Sequence, residues 1–258
     1  MADPMYRQIA EDLQRRIESG EPAPGAQLPT ELELRERYDA SRNTVRDAIK
    51  WLITRGLVET RPGQGTFVTE RITPFVSTLT GPPEGKETYV YLAEVVASSR
   101  TPDMSDPRVE MQRATGNVAS ALHIPEGTSV VSRHQQRFID GTPWSLQTSF
   151  YPMALVEQGA TKLIQATSIE PGTVDYLAEK CGIKQVGYRD SIAVRPPNEV
   201  EAAFFKLPAD GRVSVFEVYR VGFDQDGARF RLTVTVYPAD RNRLVAWVGD
   251  VPAVELED

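Results

Sequence analysis

The segment SRNTVRDAIKWLITRGLVETRPGQGTFV, residues 41–68, constrains the fold more than any other stretch of the chain. At 100° per residue Val45, Ala48, Ile49 and Leu52 share one arc of a helix, while Arg42, Asn43, Arg46 and Lys50 share another. One face therefore packs and the other presents guanidinium and amide donors. Ser41 offers an N-cap oxygen and Gly56 a stop. The runs LVETR and TFVTE flank PGQG, and two β-prone runs about a Pro-Gly turn read as a hairpin. Upstream, Ile9, Leu13 and Ile17 recur every four residues in a helix expected over residues 4–19, with Pro4 tolerated in its first turn. Gly20, Pro22, Pro24 and Gly25 then interrupt it. Thr30 and Glu33 form a capping box for a short second helix ending at Asp39-Ala40. Three helices and a hairpin in this order read as a winged helix-turn-helix.

Charge sharpens that reading. The chain carries a net −7, yet residues 41–71 hold six cations (Arg42, Arg46, Lys50, Arg55, Arg61, Arg71) against three acids, a local +3 that leaves −10 elsewhere. A basic element on an acidic body fits a small DNA-reading face attached to a sensing domain. The major groove admits one helix, and Arg suits guanine, Asn adenine, and Thr a phosphate or thymine methyl. Arg42, Asn43, Thr44 and Arg46 stand at the N-terminal end of the third helix, where base contacts are made, with Lys50 a turn further on. In the hairpin, Gly63 lets backbone approach the sugar-phosphate surface, and Arg61 and Gln64 are placed to reach phosphate or the minor groove. The alternative is a solvated helix face beside an ordinary hairpin.

The remaining chain is long enough for a second core: 258 residues in all, 40% hydrophobic. Residues 70–88 mix Pro, Gly and Thr and read as a linker. Beyond them YVYLAEVVASS, TSVVSRHQQRFIDG, TPWSLQTSFYP, YRDSIAVR, SVFEVYRVGFD and ARFRLTVTVYPA read as strands, with hairpin turns at FIDG-TPW and FDQDG-ARF. RATGNVASALH, MALVEQGATKLIQ, TVDYLAEKCG and PNEVEAAFFKL read as helices. Hairpin-paired strands with intervening helices give an α+β domain on an antiparallel sheet. The expected organisation is 1–70 for the DNA-binding domain, 71–88 for the linker and 89–250 for the second domain.

Several functions are disfavoured. No apolar run approaches the ~20 residues of a membrane span, and the N-terminus lacks an apolar signal core, so a cytoplasmic location without a membrane partner is expected. The one cysteine, Cys181, reads as a small buried apolar residue. With two histidines, His123 and His134, and no Cys/His cluster, a structural zinc site is not expected, and neither histidine sits in a nucleophile motif. No catalytic residue, metal or cofactor is assigned.

The segments PMYRQIAEDLQRRIESG, PGAQLPTELEL, SRNTVRDAIKWLITRGLVE and RPGQGTFV, in order, resemble the DNA-binding domain of the GntR family of bacterial transcription regulators over residues 4–68. By that resemblance Arg42, Thr44, Arg46 and Gly63 fall on positions that touch operator DNA. The family usually has PSEREL at the second helix, with a DNA-contacting arginine; here PTELEL puts Leu32 in that slot. QQRFIDGTPW, the SFYP turn, EVEAAFFKL before PADG, VYRVGFDQDG and VTVYPADR resemble the HutC branch, whose effector-binding domain is called UTRA, over residues 89–249. This implies a chorismate lyase-like fold enclosing a small-molecule pocket, and dimerisation through that domain. Many relatives carry an R-x-R run where this chain has Gln135 and Arg137; Gln147 and Arg231 occupy places where sugar-phosphate-sensing relatives carry glutamates. The resemblance thus implies an effector set of Gln135, Arg137, Gln147, Ser149 and Arg231, more positive than usual and suited to an acid group.

The expected function is a ligand-responsive repressor that binds a short palindromic double-stranded DNA operator as a homodimer and is released by a small acidic effector. Two alternatives stand beside it. One is an enzyme of chorismate lyase-like fold with an accessory DNA-binding domain, which turnover of an aromatic or sugar acid would reveal. The other is a plasmid-transfer control repressor without a small ligand, which a collapsed or wholly apolar pocket would favour.

Overall fold

The computed structural model describes residues 4–69, 74–80, 87–208, 211 and 213–246. The chain divides into two compact units, Met1–Thr73 and Pro74–Asp258.

The first unit runs α1 (Met5–Glu18), α2 (Glu31–Tyr38), α3 (Arg42–Thr54), β1 (Val58–Arg61), β2 (Gly65–Val68). Its core follows the apolar spacing: Ile9, Leu13 and Ile17 of α1, Leu34 of α2, and Val45, Ala48, Ile49 and Leu52 of α3 bury together with Val58 and Val68. The capping box forms, with the Glu33 carboxylate accepting from the Thr30 N–H at 2.7 Å and Thr30 Oγ1 accepting from the Glu33 N–H at 3.3 Å. Ser41 Oγ accepts from the Thr44 N–H at 3.2 Å and starts α3. β1 and β2 pair from Val58↔Val68 to Arg61↔Gly65. Gln27 fastens this hairpin from outside by donating its amide to the Gln64 carbonyl at 2.8 Å. Gly65 takes φ 120°, a backbone conformation strained for any other residue.

The second unit runs β3 (Phe75–Thr78), α4 (Glu87–Ala97), β4 (Pro102–Met104), β5 (Arg108–Arg113), α5 (Gly116–Leu122), β6 (Ser129–Ile139), β7 (Thr142–Pro152), α6 (Ala154–Glu157), a 3-10 turn (Thr161–Ile164), α7 (Thr173–Cys181), β8 (Gln185–Arg195), α8 (Glu199–Phe205), β9 (Val215–Asp224), β10 (Arg229–Pro238) and β11 (Asn242–Val245). A seven-stranded antiparallel sheet has the order β4-β6-β7-β10-β9-β8, with β5 also on β6; β3 and β11 form a separate parallel pair. Alternation along the central strand β10 sorts its side chains. Leu232 packs with Leu122, Val130 and Val221, and Val236 with Phe205 and Val215, whereas Arg231, Thr233 and Thr235 turn to the other face.

Three expectations need correction. YVYLAEVVASS, expected as a strand, is the helix α4: Tyr91 and Val95, four residues apart, are both buried, a helical spacing that outweighs the β-prone composition. The expected linker 71–88 holds β3, whose pairing partner β11 lies far along the chain, and the start of α4. The single helix expected across MALVEQGATKLIQ is broken into α6 and the 3-10 turn at Gly159, which sits at φ 109°. The expected limits at residues 70 and 250 lie outside the described residues.

Candidate functional site

On α3 the packed face fixes the exposed one. Arg42, Asn43, Arg46 and Lys50 are exposed, opposite buried Val45, Ala48, Ile49 and Leu52. The capping box sets Glu31 in the first turn of α2, where its carboxylate meets two guanidiniums of α3: Arg42 Nε at 3.3 Å and Arg46 Nε at 3.7 Å. Sequence reasoning missed Glu31; its signal was a carboxylate directly after the capping threonine. Thr44 shares a hydrogen bond with the Ser41 hydroxyl at 2.8 Å, and Lys50 lies 3.7 Å from Asp47. In the hairpin Arg61 is held by Glu59 at 2.8 Å and lies over the Phe67 ring at 4.3 Å, while Gly63 takes φ 72° and Gln64 is exposed. Exposed ion pairs of this kind contribute about 0–1 kcal/mol, so Glu31 holds the two guanidiniums only loosely.

On the second unit's sheet, a cavity of about 80 Å³ lies under α4 and β3. Arg137 of β6, Gln147 of β7 and Arg231 of β10 border it together. Ser149 does not border it; it is buried beside it, its hydroxyl 3.0 Å from that of Thr233, which does. Gln135 is not among the lining residues either; its amide donates to the Ser105 carbonyl at 3.4 Å. Sequence reasoning missed Ser77 and Thr78 of β3, Tyr91 and Glu94 of α4, and Arg220 of β9. Tyr91 and Glu94 were lost with the strand reading of that segment.

These groups differ in how they are satisfied. Arg220 grips Asp190 through two bonds at 2.8 and 2.7 Å, donates to the Leu79 carbonyl at 2.7 Å, and lies over the Tyr188 ring. Arg231 donates to Gln185 Oε1 at 2.9 Å. Arg137, only 4% exposed, lies 4.8 Å over the Tyr91 ring, and its Nε is buried without a hydrogen-bond partner among the described residues. Burial pushes the Tyr91 phenol up to about 12 and raises the Glu94 carboxyl, against hydrogen bonds from the Thr78 hydroxyl and N–H. A buried cation of this kind calls for an anionic or strongly accepting partner.

The opposite sheet face carries an open groove of about 520 Å³ over half-buried Leu146, Phe150 and Val234. At its rim Arg195 joins Glu201 and Glu217, each at 2.7 Å, and these carboxylates raise its own pKa further. His134 Nδ1 lies 2.8 Å from the Thr148 hydroxyl; Nε2 faces both Ser132 Oγ at 3.3 Å and Glu110 at 3.7 Å. Acid and hydroxyl approach the same nitrogen, so no relay runs through the ring, and Ser132 is fully buried. His123 caps α5 at φ 57°. The Cys181 thiol, half-buried, faces the Leu155 carbonyl at 3.7 Å. Among the described residues no group of three His, Cys, Asp or Glu side chains could hold a metal, and no helix is long and apolar enough to cross a membrane.

Residues 5–68 match the family described as bacterial regulatory proteins, gntR family, and residues 99–243 match the UTRA domain. The chain belongs to the GntR family. It is 30% identical to an HTH-type transcriptional regulator of Streptomyces coelicolor, over 99% of this chain and 97% of that one. It is also 30% identical to the histidine utilization repressor of Klebsiella aerogenes, there over 49% of each chain. A solved GntR-family transcriptional regulator superposes with a TM-score of 0.67 at 25% identity, covering 96% of this chain and 98% of the other. The protein is a transcriptional regulator of GntR/HutC type, not an enzyme; its helix-turn-helix serves DNA binding, and its UTRA domain points to a small-molecule effector.

Proposed function

We propose that this GntR-family protein is a ligand-responsive repressor. Two copies related by a two-fold axis present their α3 helices to the two half-sites of a short palindrome, and a small acidic effector in the Arg137 cavity releases them. Residues 1–70 are the DNA-binding domain, and the unit that begins at Pro74 is the effector-binding and dimerisation domain of a cytoplasmic regulator. Arg42, Asn43, Thr44, Arg46, Lys50, Arg61, Gly63 and Gln64 meet DNA; Arg137, Gln147 and Arg231 meet the effector.

One observation carries this reading. The chain holds two exposed guanidiniums on a single easily displaced carboxylate in one unit, and a buried guanidinium with an unpartnered Nε facing a cavity in the other. The cavity wall includes Ser77, Thr78 and Leu79, which come within about ten residues of the end of β2 in sequence. Displacing that wall gives the effector a route to the N-terminal unit, provided it binds the DNA-competent and incompetent arrangements unequally. The dimer is supported by the groove over Leu146, Phe150 and Val234, an apolar surface that a second copy would cover.

The test is fluorescence anisotropy of a duplex from the gene's own promoter, with sedimentation of the free protein. The expected result is a two-to-one complex whose affinity falls steeply with salt as condensed counterions are released. Promoter DNA ignored in dilute buffer, or a strict monomer bound one-to-one, overturns the reading.

A further inference from the structure

The cavity's walls are chemically two-sided. Arg137 lies over the Tyr91 ring at one side. Glu94 stands one helical turn from Tyr91 on the same face of α4, which places Cβ atoms about 5–6 Å apart. The Glu94 carboxyl accepts from the Thr78 hydroxyl and N–H, and a carboxylate has about four acceptor sites, so it retains capacity toward the cavity. Arg137, Arg220 and Arg231 line the same space, and although Asp190 offsets Arg220, the remaining guanidinium charge disfavours an ammonium group there. Glu94 opposes a second negative charge on the ligand. The volume, about 80 Å³, is roughly half that of an engineered cavity of about 150 Å³ that holds benzene, and so suits a compact ligand.

We propose that the cavity takes a compact monocarboxylic hydroxy acid of about three or four carbons, its carboxylate on Arg137 and its hydroxyl donating to Glu94. A planar carboxylate matches the guanidinium fork and satisfies the buried Nε. The hydroxyl is the group that lets Glu94 discriminate, because a ligand without it leaves a half-buried carboxyl short of a donor.

This assignment rests on the effector reading above. It is tested on the full-length protein by calorimetric titration and thermal shift with lactate, glycerate and 3-hydroxybutyrate, set against propionate, alanine, glycerol and inorganic phosphate. At least one hydroxy acid is expected to bind about tenfold or more tightly than propionate and alanine. Arg137→Gln is expected to weaken that acid by about a hundredfold, and Glu94→Gln to erase most of its advantage over propionate while sparing propionate binding. Melting curves of both unliganded variants check that they fold, and a misfolded Arg137→Gln leaves the Glu94→Gln comparison to decide. Tighter binding of alanine or phosphate overturns the assignment, as does a Glu94→Gln protein that still prefers the hydroxy acid. Binding none of these compounds also overturns it. Promoter binding, measured in parallel without ligand, separates the two failures: retained DNA affinity leaves the regulator standing while the ligand class falls.

Discussion

The Arg42 and Arg46 side chains of the first unit are 68% and 54% exposed, whereas Arg133, Arg137 and Arg231 of the second are 7%, 4% and 6% exposed. The exposed pair leans on one half-exposed carboxylate at 3.3 and 3.7 Å. The buried residues are treated differently from one another. Arg133 donates to four backbone carbonyls, those of Lys162, Leu163, Gln165 and Thr167, at 2.7–3.2 Å, and so organises the turn between α6 and α7. Arg137 has a ring, a cavity and an unpartnered Nε. Position thus separates three states of one side chain: a loosely held cation at a surface, a saturated buried one that builds structure, and a buried one with a donor left unsatisfied.

The largest effect should come from the saturated arginine. Arg133→Met strands four carbonyls and is expected to cost about 3–5 kcal/mol in urea denaturation of the full chain. Burial lowers its pKa, a desolvation cost that its carbonyl bonds offset. A loss below about 1 kcal/mol would erase the distinction between the saturated and unsaturated classes. Arg46→Ala comes next, with the opposite profile: operator affinity falls by about 1–3 kcal/mol while the melting temperature stays put. An unchanged operator affinity removes Arg46 from the reading set.

The pH dependence of folding sharpens the same contrast with a cation that is paired on both sides. Burial acts to raise the Glu201 carboxyl, but the two bonds from Arg195 and the Asn198 N–H outweigh it and hold the group below its ordinary value of 4.5. A carboxyl depressed in the folded state stabilises fully above the unfolded value and loses that contribution as pH falls through the lower, folded one. Acid unfolding followed by circular dichroism should therefore steepen below pH 4.5 in the parent and flatten there in Glu201→Gln. Identical acid slopes would mean that the Arg195 bridge does not operate in solution.

The first unit was almost wholly legible because its signals are local. Thr30, Glu33 and Ser41 act within four residues, and the α3 stripe is a property of one segment. The second unit withheld what depends on distant partners. β3 finds β11 more than 150 residues away, β5 carries alternating charge and apolar residues at its exposed edge, and the register irregularity between Arg137 and Phe138 breaks the simple alternation along β6. The burial of Arg231 follows from the neighbours that β10 has on both sides. Tyr91 and Glu94 were hidden by composition, since a run with three valines and two tyrosines has strand propensity until burial at a four-residue spacing decides otherwise.

The smallest expected effect concerns the surface class. Leu32 is 59% exposed in the first turn of α2, beside the Glu31 that holds Arg42 and Arg46, in the slot where the family pattern usually has arginine. An exposed leucine contributes little to the core, so Leu32→Arg should leave stability within about 0.5 kcal/mol. Toward DNA it restores one cation. If that cation lands on a phosphate, the log–log salt slope steepens by about 0.9 and affinity rises for all sequences alike. If it lands on a base edge, affinity rises for operators with guanine at one position and the slope hardly moves. A competing outcome is that the new guanidinium takes Glu31 from Arg42 and Arg46, which frees both for DNA and also raises affinity; the double variant Glu31→Gln/Leu32→Arg separates these cases, because only in the last does the Leu32→Arg gain vanish once Glu31 is neutral. An unaltered affinity and slope in both variants would place the first turn of α2 outside the reading surface and leave recognition to α3 and the hairpin alone.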